Sequence, residues 1–272
     1  MKKPEKEMSF LDHVEELRWH LVRSSIAIIS LGSLAFIFKS IIFDKILFAP
    51  KEADFVTYQF FCKVSKLFGT EGLCIEEIPF TFQSLAMAEQ FSVHIWTSIT
   101  VGFIVAFPFI VYEFWKFISP GLYEKERKGA RSFILISSLL FFIGVLFGYY
   151  VVTPLSVNFL GNYSVSDAVE RNIKIGSYIS LVRSSMLASG LIFELPIVMY
   201  FLTKMGLITP QFLRKYRKHA LVLVLILAAV ITPPDIISQV IVAIPILILY
   251  EVSIYISKVV LKKEKKEQEK YA

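Results

Sequence analysis

Long parts of the chain show neither the polar-apolar alternation of a half-buried strand nor the one-sided stripe of a surface helix. Apolar residues simply continue, and short charged clusters separate the runs. The runs cover residues 24–38, 91–114, 132–152, 178–202, 220–232 and 240–256. A helix needs roughly 20 apolar residues to cross the hydrocarbon core of a bilayer. A transmembrane β-barrel would instead show segments of roughly ten residues with polar residues at every second position. The pattern therefore predicts an all-α integral membrane protein with six transmembrane helices, the last two short. From Ala220 to Thr232 the rise is only about 20 Å, against a core of about 30 Å. Pro233 and Pro234 end that helix because neither can donate the next backbone hydrogen bond. The shortfall must be met by bilayer thinning, snorkelling or packing.

Composition agrees: the 272 residues are 55% hydrophobic, with 25 Phe, and the mean hydropathy is +0.61. Charge adds orientation. Five Lys/Arg lie in residues 1–23, five in 115–131, five in 204–218 and six from Lys258 onward, all on one side of the predicted membrane. The other side holds five in 39–90, two in 153–177 and none in 233–239. Cations collect on the cytoplasmic side, so both termini are expected there. The net charge of +6 then reflects topology and the inner leaflet rather than nucleic acid. The N-terminal region has no small-residue cleavage site after its apolar run, so it is expected to stay as a span.

Candidate chemistry lies in a few places. Residues 9–25, SFLDHVEELRWHLVRSS, put Leu11, Val14, Leu17, Leu21 and Val22 at helical spacing and lead straight into the first run. The polar face of that helix carries Asp12, Glu16, His20 and Arg23. Residues 107–133 leave the second run through aromatics, turn at Ser119-Pro120-Gly121 and continue through alternating charges. In the fourth run Glu194 stands alone among apolar residues. A charge at the bilayer centre costs about 2.5–3.5 kcal/mol on insertion scales, so such a residue faces protein or water. Arg183, eleven positions earlier, lies on nearly the same face about 16 Å away, too far to pair directly. Cys62 and Cys74 lie in the long outward loop. In an oxidising compartment they can pair, stabilising the loop by about 3 kcal/mol in the chain-entropy model; two free thiols packed under the loop are the alternative. The four His have no metal-ligand spacing, no cofactor motif is present, and no catalytic set stands out. Gly144 and Gly148 form a GxxxG in the third run.

Four stretches in order, DHVEELRWHL, FWKFISPGLYEKER, FELP and TPPDIISQ, resemble TatC of the twin-arginine protein translocase, from about His13 to Tyr255. The resemblance implies a single TatC-like membrane domain over 1–272 in a bacterial inner membrane, with residues 39–90 as a long periplasmic loop and 258–272 as a cytoplasmic tail. It implies a receptor for Arg-Arg signal peptides of folded cargo, driven by the proton-motive force and partnered by the single-span proteins TatA and TatB, by lipids and by further copies of itself. Carried over by position, the signal-peptide site falls on Glu16, Arg18, Phe117, Tyr123 and Glu126. Glu194 is implied to dock a partner helix, the bland alternative being a protonated glutamate bonded within its own bundle. Pro50, Pro233, Pro234 and Asp235 are implied to be structural positions on the periplasmic side. The portion around 51–78 departs from the family as an insert, and Arg183 is a second departure. A proton-coupled secondary transporter using Glu194 is the rival class; an intramembrane hydrolase is weaker still for want of a Ser/His pair at membrane depth.

Overall fold

In the computed structural model, residues 10–67, 78–119, 130–166, 172–232 and 235–271 are described. In chain order the helices are α1 (Phe10–Ile37), α2 (Val56–Leu67), α3 (Glu89–Ile118), α4 (Ala130–Phe147), α5 (Thr153–Asn162), α6 (Ile175–Phe193), α7 (Leu195–Lys204), α8 (Pro210–Lys215), α9 (Arg217–Ile231) and α10 (Ile236–Tyr271). Two three-residue strands, β1 (Thr81–Gln83) and β2 (Asn172–Lys174), pair in parallel with Phe82 opposite Ile173. Among the described residues, five segments are long and apolar enough to cross a membrane: Val14–Ile37, Glu89–Ile118, Arg131–Asn162, Ile175–Lys204 and Ser238–Lys262.

Three of the expected boundaries need correction. The third span does not stop at Val152: a wide-turn segment, Gly148–Val152, carries the helix into α5, whose first turn takes Pro154, so the span reaches Asn162. Pro154 takes one N–H donor away from the turn before it, and in that turn the Tyr150 carbonyl accepts instead from the Thr57 hydroxyl. The fourth span is broken, since Pro196 has no N–H to offer the carbonyl four residues back. The chain tightens there, the Glu194 N–H bonding the Leu191 carbonyl at 3.1 Å, and Glu194 becomes the joint between α6 and α7. Only the fifth of the six expected spans is short. α9 has 15 residues, a rise of about 22 Å, whereas α10 has 36. The helix itself runs on past Lys258 to Tyr271, with Val259, Val260 and Leu261 continuing the apolar run.

The chain divides into two compact units. One comprises 1–39 and 94–139, the other 40–93 and 140–272. In the first, α1 and α3 touch backbone to backbone: a Cβ on Gly102 would lie 2.5 Å from the Ile28 carbonyl oxygen and 2.6 Å from the Gly32 nitrogen. At one end of that crossing the His94 ring stacks on Phe36, with centroids 3.8 Å apart. In the second unit, α4 meets α6 in the same way, so the Gly144/Gly148 spacing marks a true contact. A Cβ on Gly144 would lie 2.6 Å from the Ser189 carbonyl oxygen. Gly144→Leu is therefore expected to cost about 1–3 kcal/mol by overpacking. A lowered thermal midpoint of the detergent-solubilised protein checks this.

The second unit is held by buried polar-to-backbone bonds. The Tyr149 hydroxyl donates to the Ile46 carbonyl at 2.7 Å, and the Tyr178 hydroxyl to the Leu47 carbonyl at 2.9 Å. Val152, Val224, Ala228, Val242, Ala243 and Ile246 form its apolar core. Glu89, the first residue of α3, ties the loop before it to the first turn of α6, its Oε2 accepting from the Leu85 N–H at 2.9 Å and its Oε1 from the Gly176 N–H at 3.2 Å.

Candidate functional site

In the first unit, α1 runs continuously from Phe10, so the amphipathic stretch and the first span are one helix. Nothing in SFLDHVEELRWHLVRSS interrupts it: no Gly or Pro occurs between Ser9 and Ser25. Residues four apart on a helix share a face, which aligns Glu16 with His20. Glu16 is half-buried, and its Oε2 is shielded from solvent with no hydrogen-bond partner among the described residues. Arg18 is exposed, beside a shallow apolar groove along α1 that includes Leu17, Leu21 and Val22. Phe117, in the last turn of α3, is half-buried. Its ring stands edge-on to the His20 ring at 6.1 Å between centroids. The structure thus brings Phe117 to α1 one turn from Glu16. Tyr123 and Glu126 lie outside the described residues.

Sequence reasoning passed over Glu113. It lies in α3 one turn before Phe117 and is only 3% exposed. Its Oε2 accepts from the His20 Nδ1 at 2.6 Å. Arg23 and Lys116 approach its two oxygens at 3.7 Å. The signal was available: FIVYEFWKF sets one acid in an apolar run, as GLIFELPIV does for Glu194.

In the second unit, Glu194 is half-buried at the joint between α6 and α7. Arg183 sits three turns earlier on α6, half-buried, with its Nε shielded and making no hydrogen bond among the described residues. Pro50 is buried, and its carbonyl accepts from the Tyr58 hydroxyl at 2.8 Å. Burial of Tyr58 pushes its hydroxyl well above the usual tyrosine range, so it remains a donor. Pro233 and Pro234 lie outside the described residues. Asp235 caps α10, its Oδ2 accepting from the Ser238 N–H at 2.8 Å and the Ser238 hydroxyl at 2.7 Å. Asp235→Ala is expected to cost about 1 kcal/mol, seen as a midpoint roughly 2–4 °C lower. Cys62 is disulfide-bonded; Cys74 lies outside the described residues. Among the described residues no three His, Cys, Asp or Glu side chains gather in a way that could hold a metal ion.

Long apolar helices, one of them jointed at a carboxylate, define a multi-pass α-helical membrane protein. The comparisons make this specific. The family model for the Sec-independent protein translocase protein (TatC) matches residues 12–245. A Sec-independent protein translocase protein TatC of Blattabacterium (strain BPLAN) is 44% identical over 97% of this chain and 100% of its own. TatCy of Bacillus subtilis is 34% identical over 96% and 92% respectively. A crystal structure of the twin-arginine translocase receptor TatC superposes with a TM-score of 0.68 at 35% identity, covering 92% of this chain and 99% of that one. The chain belongs to the TatC family, the receptors of the twin-arginine translocase, and is a transport protein rather than an enzyme. A broken span is a feature expected of the solute-transporter alternative, but family membership decides against that reading.

Proposed function

We propose that this receptor binds the Arg-Arg signal peptides of folded cargo at its cytoplasmic face, through Glu16, Arg18, Phe117, Tyr123 and Glu126. The observation that carries the reading is the Glu16 carboxylate, whose Oε2 is withdrawn from solvent and has no hydrogen-bond partner among the described residues. An acceptor left in that state favours an incoming donor, because an unsatisfied buried oxygen carries a desolvation penalty that a hydrogen bond removes. A guanidinium is the matching donor, presenting planar, paired N–H groups that a carboxylate accepts two at a time. Glu126 supplies the second carboxylate. Phe117 offers an apolar wall, its ring placed against α1 by His20.

The remaining parts follow the family. The whole chain, 1–272, acts as one receptor domain of six spans in a bacterial inner membrane, with both termini cytoplasmic, as the Lys/Arg asymmetry supports. α9, short for a span at 15 residues, thins the membrane around it. Glu194 docks the transmembrane helix of a TatA- or TatB-type subunit, and several copies assemble to drive export on the proton-motive force. Cys62 and Cys74 close the periplasmic insert.

Photo-crosslinking to a labelled signal peptide from one position beside Glu16 and one beside Glu126, with both carboxylates kept, tests the site. Adducts are expected from both positions and should vanish when Arg-Arg becomes Lys-Lys. Equal yields with both peptides, or none from either position, would contradict the assignment.

A further inference from the structure

The α1 helix has little to hold it: only 17% of its apolar window is buried within the protein. Within its unit it meets α3 through the Gly32/Gly102 crossing and, twelve residues or about 18 Å toward its start, through His20 and Glu113. The second contact is a buried one. Glu113 is 3% exposed and His20 8%, and Nδ1 donates to Oε2 at 2.6 Å. Arg23 and Lys116, at 3.7 Å, are beyond hydrogen-bond distance. The Lys116 ammonium is instead drawn over the Tyr112 ring, 4.3 Å from its centroid. The His20 bond is therefore the directional contact, and it fixes how the helix is rotated at that level. Glu16 lies one turn before His20 on the same face, and the Phe117 ring, one turn after Glu113 on α3, stands edge-on to the His20 ring. Losing the bond frees the start of α1 to swing away from α3, pivoting at the glycine crossing.

We infer that Glu113 is a positioning residue for cargo recognition, which through His20 holds the Glu16 carboxylate and the Phe117 ring in the orientation that accepts a guanidinium pair. The inference rests on the reading that Glu16 and Phe117 touch the signal peptide, and the test separates the two. Full-length receptor in membranes is assayed for affinity toward Arg-Arg and Lys-Lys peptides. Glu113→Leu removes the acceptor, and the Arg-Arg affinity is expected to fall about tenfold, the scale of a hydrogen bond to a charged group. The Lys-Lys affinity stays unchanged, because an ammonium has no fork to align. Glu113→Gln, whose amide oxygen still accepts from Nδ1–H, is expected to restore most of the Arg-Arg affinity.

Unchanged Arg-Arg affinity in Glu113→Leu overturns the inference, as does an equal loss for both peptides, which is what general destabilisation gives. Failure of Glu113→Gln to rescue also overturns it. Should Glu113→Leu not accumulate, His20→Leu cuts the same bond from its other end and must show the same loss of Arg-Arg preference; an intact preference there is fatal to the idea. A parallel Glu16→Gln variant decides the underlying reading: normal Arg-Arg binding by that variant overturns both, whereas a defect there with normal Glu113→Leu overturns only the positioning role.

Discussion

The double substitution Glu16→Gln with Glu126→Gln is expected to lower the affinity for an Arg-Arg signal peptide by about a hundredfold or more. Truncating one partner of a desolvated, hydrogen-bonded charge pair costs about 2–5 kcal/mol, and each tenfold corresponds to about 1.4 kcal/mol. Half-burial of Glu16 places its share toward the lower end, since water screens part of the attraction. Glutamine keeps the shape and one acceptor oxygen, so the loss reports charge and the two-pronged geometry rather than packing. Equilibrium binding of a fluorescent peptide to membranes carrying each variant gives the comparison. Each single variant should fall between the wild type and the pair.

Glu194→Ala is the second large effect, and it acts elsewhere. Glu194 is held at a joint that Pro196 creates, between α6 and α7, in a segment otherwise apolar. A polar contact between helices in a membrane contributes about 0.6–2 kcal/mol, so removing the carboxylate should reduce co-purification of a TatA- or TatB-type subunit by roughly threefold to thirtyfold. Signal-peptide crosslinking should be untouched, because none of the residues proposed to read the peptide lies on α6 or α7. Loss of peptide binding and partner recruitment together, at normal protein levels, would reject this division of labour.

The hydrophobic pattern made the existence of the helices legible, because a lipid environment leaves no other way to satisfy so long an apolar backbone. It was a poor guide to where they end. The third apolar run ends at Val152, yet the helix continues through Pro154. Pro196, inside FELP, puts a joint in the helix of the fourth span, which hydropathy, blind to a missing N–H, does not show. Lys258 suggested an end that the helix passes over, its ammonium being free to reach outward along its own stem.

The candidate site divides in a similar way. Glu16 and Arg18 could be placed on a helix leading into the first span from periodicity, and α1 bears this out. Phe117 was named from the resemblance alone, and its edge-on contact with His20 could not be read from the chain because 97 positions separate the two residues. Glu113 went unremarked for the same reason: its partner His20 is 93 positions away. Within FIVYEFWKF the aromatics suggested a membrane interface, and the acid among them drew no separate question.

The most direct measurement sets two peptides, Arg-Arg and Lys-Lys, against two receptors, wild type and the Glu16→Gln with Glu126→Gln variant, and reads all four dissociation constants. Lysine replacement should be costly for the wild type and nearly without effect for the variant, because the groups that distinguish a guanidinium from an ammonium are gone. If the variant still prefers Arg-Arg by the wild-type margin, those two carboxylates do not read the signal.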